Sequence, residues 1–161
     1  MGQRPAGTIH PGYSGFFDCF NSGRYYEAHD VLEALWLERR GQPEAGFQQG
    51  LIQLAGAFVH FQKHTDVRPR LVPAASLLRA AARRLGAYPP GFGGLDTAVV
   101  LDLIRGWQEA LAGAGPAENP FHHRPPPQLP LPQVDAGLGP WALGRADGGG
   151  DGGTAAGGIL G

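Results

Sequence analysis

The chain has 161 residues and a net charge of −1 at pH 7. This near-neutral balance excludes a polyelectrolyte that attracts nucleic acid or anionic lipid through its overall charge. Cys19 is the only cysteine. It therefore excludes an internal disulfide, and it predicts a reducing, cytoplasmic location. No apolar run approaches the ~18 residues that span a bilayer, so we expect no membrane partner. The near-neutral charge gives no reason to expect a nucleic-acid partner.

Apolar residues recur with helical spacing up to about residue 112, with no convincing alternating strand. Gly23 and Gly41 are placed to end helices, Pro43 and Pro73 to begin them, and Asp96 to cap the last one. The predicted fold is all-α, a single bundle of about five helices stacked as antiparallel pairs. The predicted helices cover residues 11–21, 24–39, 43–64, 73–86 and 97–112.

The composition changes after the fifth predicted helix. Eight of the 15 prolines fall between Pro116 and Pro140, which favours an extended segment. Glycine dominates from Gly144 onward, where almost no residue can contribute to a core. We therefore predict a helical domain at 8–115, a proline-rich extended segment at 116–143 and a disordered tail at 144–161.

The second helix carries an unusual set of polar groups in "RYYEAHDVLEALW", residues 24–36. At about 100° per residue, Glu27 and Asp30 project to the solvent side of this helix. His29 and Glu33 lie four residues apart at the border of the apolar face, next to Tyr26. We expect the first two carboxylates to be solvated and the His29–Glu33 pair to be half buried.

The third helix has a polar stripe on a largely apolar surface. Gln49, Gln53, Gly56 and His60 fall within an arc of about 60°, and an unpaired buried amide or imidazole there would cost roughly 1–3 kcal/mol. We expect the His29–Glu33 edge to pair with this stripe, with Gly56 allowing two backbones or a small ligand to approach closely. The predicted binding seam comprises Tyr26, His29, Glu33, Gln49, Gln53 and His60.

The seam has three interpretations at this point. The first is a structural hydrogen-bonded network that fixes the register of the two helices. The second is a divalent-metal site with His29, Glu33 and His60 as ligands, in a hydrolase that activates a bound water. The third is metal-free acid–base catalysis by His29 and Glu33. Glutamine is a poor transition-metal ligand and no HExxH pattern is present, which weighs against the metal.

A binding module is a further alternative. "SGRYYEAHDVLEALWL" resembles the second-helix half of a tetratricopeptide repeat, although the strict 34-residue period of a repeat array is absent. Stacked helix pairs of that kind form grooves that receive peptides, and the chain's own proline-rich segment is a candidate occupant. The partner itself, a protein or a small molecule, is not defined by the sequence.

Two motifs carry a more specific resemblance. "YYEAHDVLEALW" followed by "QGLIQLA" and a histidine resembles the bacterial domain-of-unknown-function 309 family, and the resemblance covers about residues 13–132. It implies a small all-helical domain and no established activity. The family's characteristic polar residues would correspond to Glu27, His29, Asp30, Glu33, Gln49, Gln53 and His60. The sequence thus predicts a small helical domain with a structural or binding role, and a divalent metal is the one cofactor that its polar residues suggest.

Overall fold

The computed structural model of the chain describes residues 9–115 and 118–133. Within these residues the regular structure is helical, without a β-strand, so the predicted all-α bundle is confirmed. The five helices are α1 (Pro11–Asn21), α2 (Tyr25–Arg39), α3 (Ala45–Lys63), α4 (Leu71–Gly86) and α5 (Thr97–Gly113). Two single 3-10 turns follow α4 and α5, at Phe92–Gly94 and Pro120–His122.

Local chemistry fixes the helix ends. Gly23 and Gly41 have φ values of 80° and 88°, the left-handed conformation that glycine adopts without a steric penalty. The Asp96 side chain accepts a hydrogen bond from the backbone N–H of Val99, which caps α5 as predicted. α4 begins two residues before Pro73. Pro73 is tolerated in the first helical turn because the backbone N–H that it lacks would have no acceptor within the helix.

Consecutive helices pack in antiparallel pairs. Lys63, at the end of α3, lies over the ring of Tyr26 at the start of α2. Arg39, at the end of α2, pairs with Glu44 just before α3, with 3.6 Å between Nε and Oε2. The same end-to-start relationship joins α3 to α4 through His60 and Arg70.

Aromatic side chains fill the centre of the bundle. The ring of Phe58 in α3 contacts Phe20, Tyr25 and Trp107, with centroids 5.0–5.6 Å apart. Trp107 is buried, whereas Trp36 is only partly buried, with the Arg40 guanidinium 5.6 Å from its ring centroid. Aromatic contacts therefore join α1, α2 and α5 to α3.

The proline-rich segment is described only in part. Residues 118–133, called the strap below, lie against the helices, and Pro127, Leu129 and Pro132 are buried there. The predicted remainder of that segment and the predicted disordered tail lie outside the described residues. The predicted domain boundaries stay predictions. None of the described helices combines the length and the apolar character needed to cross a membrane.

Candidate functional site

Three potential metal ligands converge on the solvent-facing edge of α2. The Nδ1 atom of His29 lies 3.3 Å from Oδ1 of Asp30 and 4.0 Å from Oε1 of Glu33. One ligand atom from each residue lies within 4.8 Å of the other two. These three residues are called the α2 cluster. Their spacing explains the geometry, since neighbours at i and i+4 share a helix face and the short Asp30 side chain bends back toward His29.

The α2 cluster is accessible without being fully exposed. The side chain of His29 is 33% exposed, and those of Asp30 and Glu33 are 54% and 43% exposed. Tyr26, one turn earlier, lies nearly parallel to the His29 ring, with 6.4 Å between centroids. The Lys63 ammonium lies 5.3 Å from the Tyr26 ring centroid. The cluster thus has one covered side and one side open to solvent.

His60 lies apart from the α2 cluster, beside the start of α4. Its Nδ1 is 3.5 Å from Nη1 of Arg70, at the outer limit of a hydrogen bond that the guanidinium donates. Burial lowers the pKa of His60 from its ordinary value, and the positive charges of Arg70 and Lys63 lower it further. This environment favours the neutral imidazole.

The remaining members of the α3 stripe face α4 or stay half buried. A Cβ atom added at Gly56 would lie 3.2 Å from Cδ1 of Leu77, so Gly56 permits close approach of α4 and not of α2. Gln49 and Gln53 are partly buried, and Oε1 of Gln53 is a buried acceptor without a hydrogen-bond partner in the described chain.

The expected pairing of the two helices through this stripe has no direct hydrogen bond to support it. Between the described residues, no hydrogen bond or ion pair links His29 or Glu33 to Gln49, Gln53 or His60. The structure therefore brings together His29 and Glu33, adds Asp30, and places His60 with Arg70. The prediction of metal or catalytic roles for these residues stays a prediction.

Helical periodicity predicts Asp30 on the solvent side of α2, together with Glu27. Both are exposed, but Asp30 contributes an oxygen to the cluster. A helical projection assigns angles to Cβ positions and cannot show that an exposed side chain folds back along the surface. An aspartate directly after the histidine, with a glutamate one turn later, was the available signal.

The α2 cluster and the α3 stripe both lie within the part of the chain that matches a known family. Residues 13–67 match the family model described as "Domain of unknown function (DUF309)". The resemblance found in the sequence is confirmed over these residues. No curated protein and no solved structure matches the chain.

Proposed function

We propose that this is a binding domain whose α2 cluster holds a divalent transition-metal ion of the Zn²⁺ type. The observation that carries the proposal is the convergence of one imidazole nitrogen and two carboxylate oxygens within 4.8 Å of one another. Imidazole and carboxylate are the ligands from which proteins build such sites, together with thiolate.

The distances suit a metal with little rearrangement. Two ligand atoms on a tetrahedral ion with bonds of about 2.0 Å are ~3.3 Å apart. The His29–Asp30 separation of 3.3 Å already has this value, and the 4.0 Å between His29 and Glu33 closes with a small side-chain rotation. Because the Glu33 side chain is 43% exposed, that rotation meets little packing resistance.

The charges of the cluster also support a cation. Asp30 and Glu33 bring two carboxylates to one imidazole. Two carboxylates with one neutral ligand suit a divalent ion. Three protein ligands would leave a fourth position for water or a small ligand, and this open position supports a binding role. Hydrolysis through that water stays a prediction of the sequence.

The cytoplasm is part of the same proposal. Cys19 is the only cysteine, and it is buried in α1 against the aromatic core. A free buried thiol is compatible with a reducing compartment.

The test is zinc titration of the tag-free full chain by calorimetry, with elemental analysis for stoichiometry. His122 and His123 are exposed and are first changed to glutamine, so that they cannot bind the added ion. In this background we expect one zinc per chain, with binding lost in His29→Ala and weakened in Glu33→Gln. Glu27→Gln is the matched control, since Glu27 is an exposed carboxylate of the same helix outside the cluster.

Two results would overturn the proposal. One is the absence of zinc binding by a folded chain. The other is binding that His29→Ala leaves unchanged. A melting temperature that rises with zinc in the starting protein and not in His29→Ala would link the ion to the folded state.

A further inference from the structure

The second half of the strap occupies a groove of the helical bundle. Pro127, Leu129 and Pro132 are buried there, while Gln128 and Leu131 between them are exposed. Leu129 is 4% exposed and Leu131 is 59% exposed, although they are only two positions apart. The groove thus buries some positions of an extended segment and leaves the positions between them exposed to solvent.

One side chain of the bundle holds the strap through its backbone. The Asn21 amide Nδ2 donates to the carbonyl of Leu129 at 3.0 Å, and the N–H of Leu129 donates to Asn21 Oδ1 at 2.7 Å. The Gln128 amide donates to the Asn21 carbonyl at 3.0 Å, and the N–H of Gln133 donates to the carbonyl of Gly94 at 2.7 Å. Peptide-binding domains recognise extended ligands in the same way. Hydrogen bonds to the ligand's main chain give affinity, and pockets for some of its side chains give specificity.

Two of the three residues buried in this groove are prolines. Pro127 and Pro132 are buried without a backbone N–H, so their burial leaves no donor unpaired. Leu129 is the buried residue between them that does carry an N–H, and that donor is the one paired with Asn21. A proline-rich chain is also stiff before binding, so less conformational entropy is lost when it docks.

We propose that this groove is a docking site for a proline-rich segment of another protein, with the spacing Pro-x-Leu-x-x-Pro. In the isolated chain the strap is the competing occupant of the same site. The proposal is independent of the α2 cluster, because none of the groove contacts involves a residue of that cluster.

The strap has a separate anchor that lets its second half leave the groove. The Asn119 amide donates to the carbonyl of Phe61 at 2.8 Å, and the Phe121 ring lies against Phe61 and Trp107. The Arg124 guanidinium lies 4.9 Å from the Trp107 ring centroid. These contacts hold residues 119–124 on the core and do not involve residues 125–133.

The first experiment measures binding of a labelled peptide with the sequence of residues 124–133 to the full chain. Leu129→Asp places a charge in the groove position and should release the tethered strap. We expect the peptide to bind this variant at least about tenfold more tightly than it binds the wild type, where the tethered strap competes at high effective concentration. Leu131→Asp is the matched control. The same change at this exposed position should leave the affinity for the peptide at the wild-type value.

A second variant assigns the binding to the groove. Adding Asn21→Ala to Leu129→Asp removes the two hydrogen bonds to the ligand backbone, and we expect the peptide affinity to fall by about tenfold. An unchanged affinity would overturn the assignment. Circular dichroism of each variant confirms that the helices remain folded.

A measurement on the wild-type chain avoids variants altogether. In ¹⁵N-labelled protein, excess unlabelled peptide should shift the amide signals of Leu129 and Gln133, which donate to the bundle, and leave the Phe121 amide unchanged. Absence of any shift, together with no binding by Leu129→Asp, would overturn the proposal. Dimerisation of the wild type with concentration and no peptide binding would instead assign the groove to strap exchange between two copies, which also overturns it.

Discussion

The guanidinium of Arg70 lies beside the imidazole of His60, with 3.5 Å between Nη1 and Nδ1. Burial is the main cause that lowers the pKa of His60 below its ordinary value of 6.5, and Arg70 and Lys63 add to it. The imidazole of His60 therefore takes up a proton at a lower pH in the folded chain than in the unfolded chain. Between the two pKa values the unfolded state binds more protons, so stability decreases as the pH falls.

We predict that the melting temperature falls as the pH is lowered through about 6.5, and that His60→Gln reduces this fall. The slope should not vanish, because burial also lowers the pKa of His10, with Arg39 adding to the shift and Glu38 opposing it. Thermal unfolding at a series of pH values measures both slopes. His122→Gln is the control at an exposed position. Equal slopes for His60→Gln and the wild type would contradict the prediction.

Gly46 and Tyr88 form a pair in which one residue makes room for the other. A Cβ atom at Gly46 would lie 2.5 Å from the Tyr88 hydroxyl, which donates to the carbonyl of Pro43 at 2.7 Å. We expect Gly46→Ala to cost about 1–3 kcal/mol of unfolding free energy, because the hydroxyl must move and lose its acceptor. In a Tyr88→Phe background the clash is absent, and the same change should be neutral or stabilising. Denaturant unfolding of the wild type, the two single variants and the double variant measures the coupling free energy between the two positions. Additive changes in unfolding free energy would contradict the clash.

The cap of α5 depends on one carboxylate. Asp96 Oδ1 accepts the N–H of Val99 at 3.3 Å, and we expect Asp96→Ala to lower the unfolding free energy by about 1 kcal/mol. Asp102→Ala is the matched control, since Asp102 lies exposed in the same helix and its pair with Arg105 is a surface ion pair. If chemical denaturation gave the two variants the same stability, the cap would be unimportant.

Phe58 is the side chain on which the aromatic core converges. Its ring contacts those of Phe20, Tyr25, Phe61 and Trp107. We predict that Phe58→Ala destabilises the domain by about 3–5 kcal/mol, through lost burial and a cavity that the rigid neighbours cannot fill. Val67→Ala, at a position that is 88% exposed, should change stability by less than about 0.5 kcal/mol. A loss below about 1 kcal/mol for Phe58→Ala would mean that the core relaxes around the site.

The helices were predictable because their ends are encoded locally. Gly23 and Asp96 act through the conformation and hydrogen bonds of their own turns, and the sequence predicts both. The start of α4 was predicted two residues late, because a proline in the first turn marks a helix without fixing which of its positions is first. The start of α3 at Ala45, after a turn that includes Pro43, differs for the same reason.

The candidate site was less predictable, because it depends on which neighbour covers each face. The sequence predicts that α2 covers the edge of α3 with Gly56 and His60, but α4 approaches that edge and supplies Leu77 and Arg70. Periodicity gives the direction of a side chain relative to its own helix axis only. The arrangement of the other four helices relative to α3 decides which neighbour covers each face, and it depends on packing that the single sequence does not encode locally.

The pairing of Asn21 with Leu129 joins positions 108 residues apart. During synthesis α1 leaves the ribosome first, and its last residue has no partner for its amide until nearly all of the described chain has followed. The hydrogen bonds between Asn21 and Leu129 can therefore form only after all five helices have been synthesised, and the strap is the last described segment to become available. A chain whose translation stops before residue 129 would present that groove bare, to whatever proline-rich sequence is nearby.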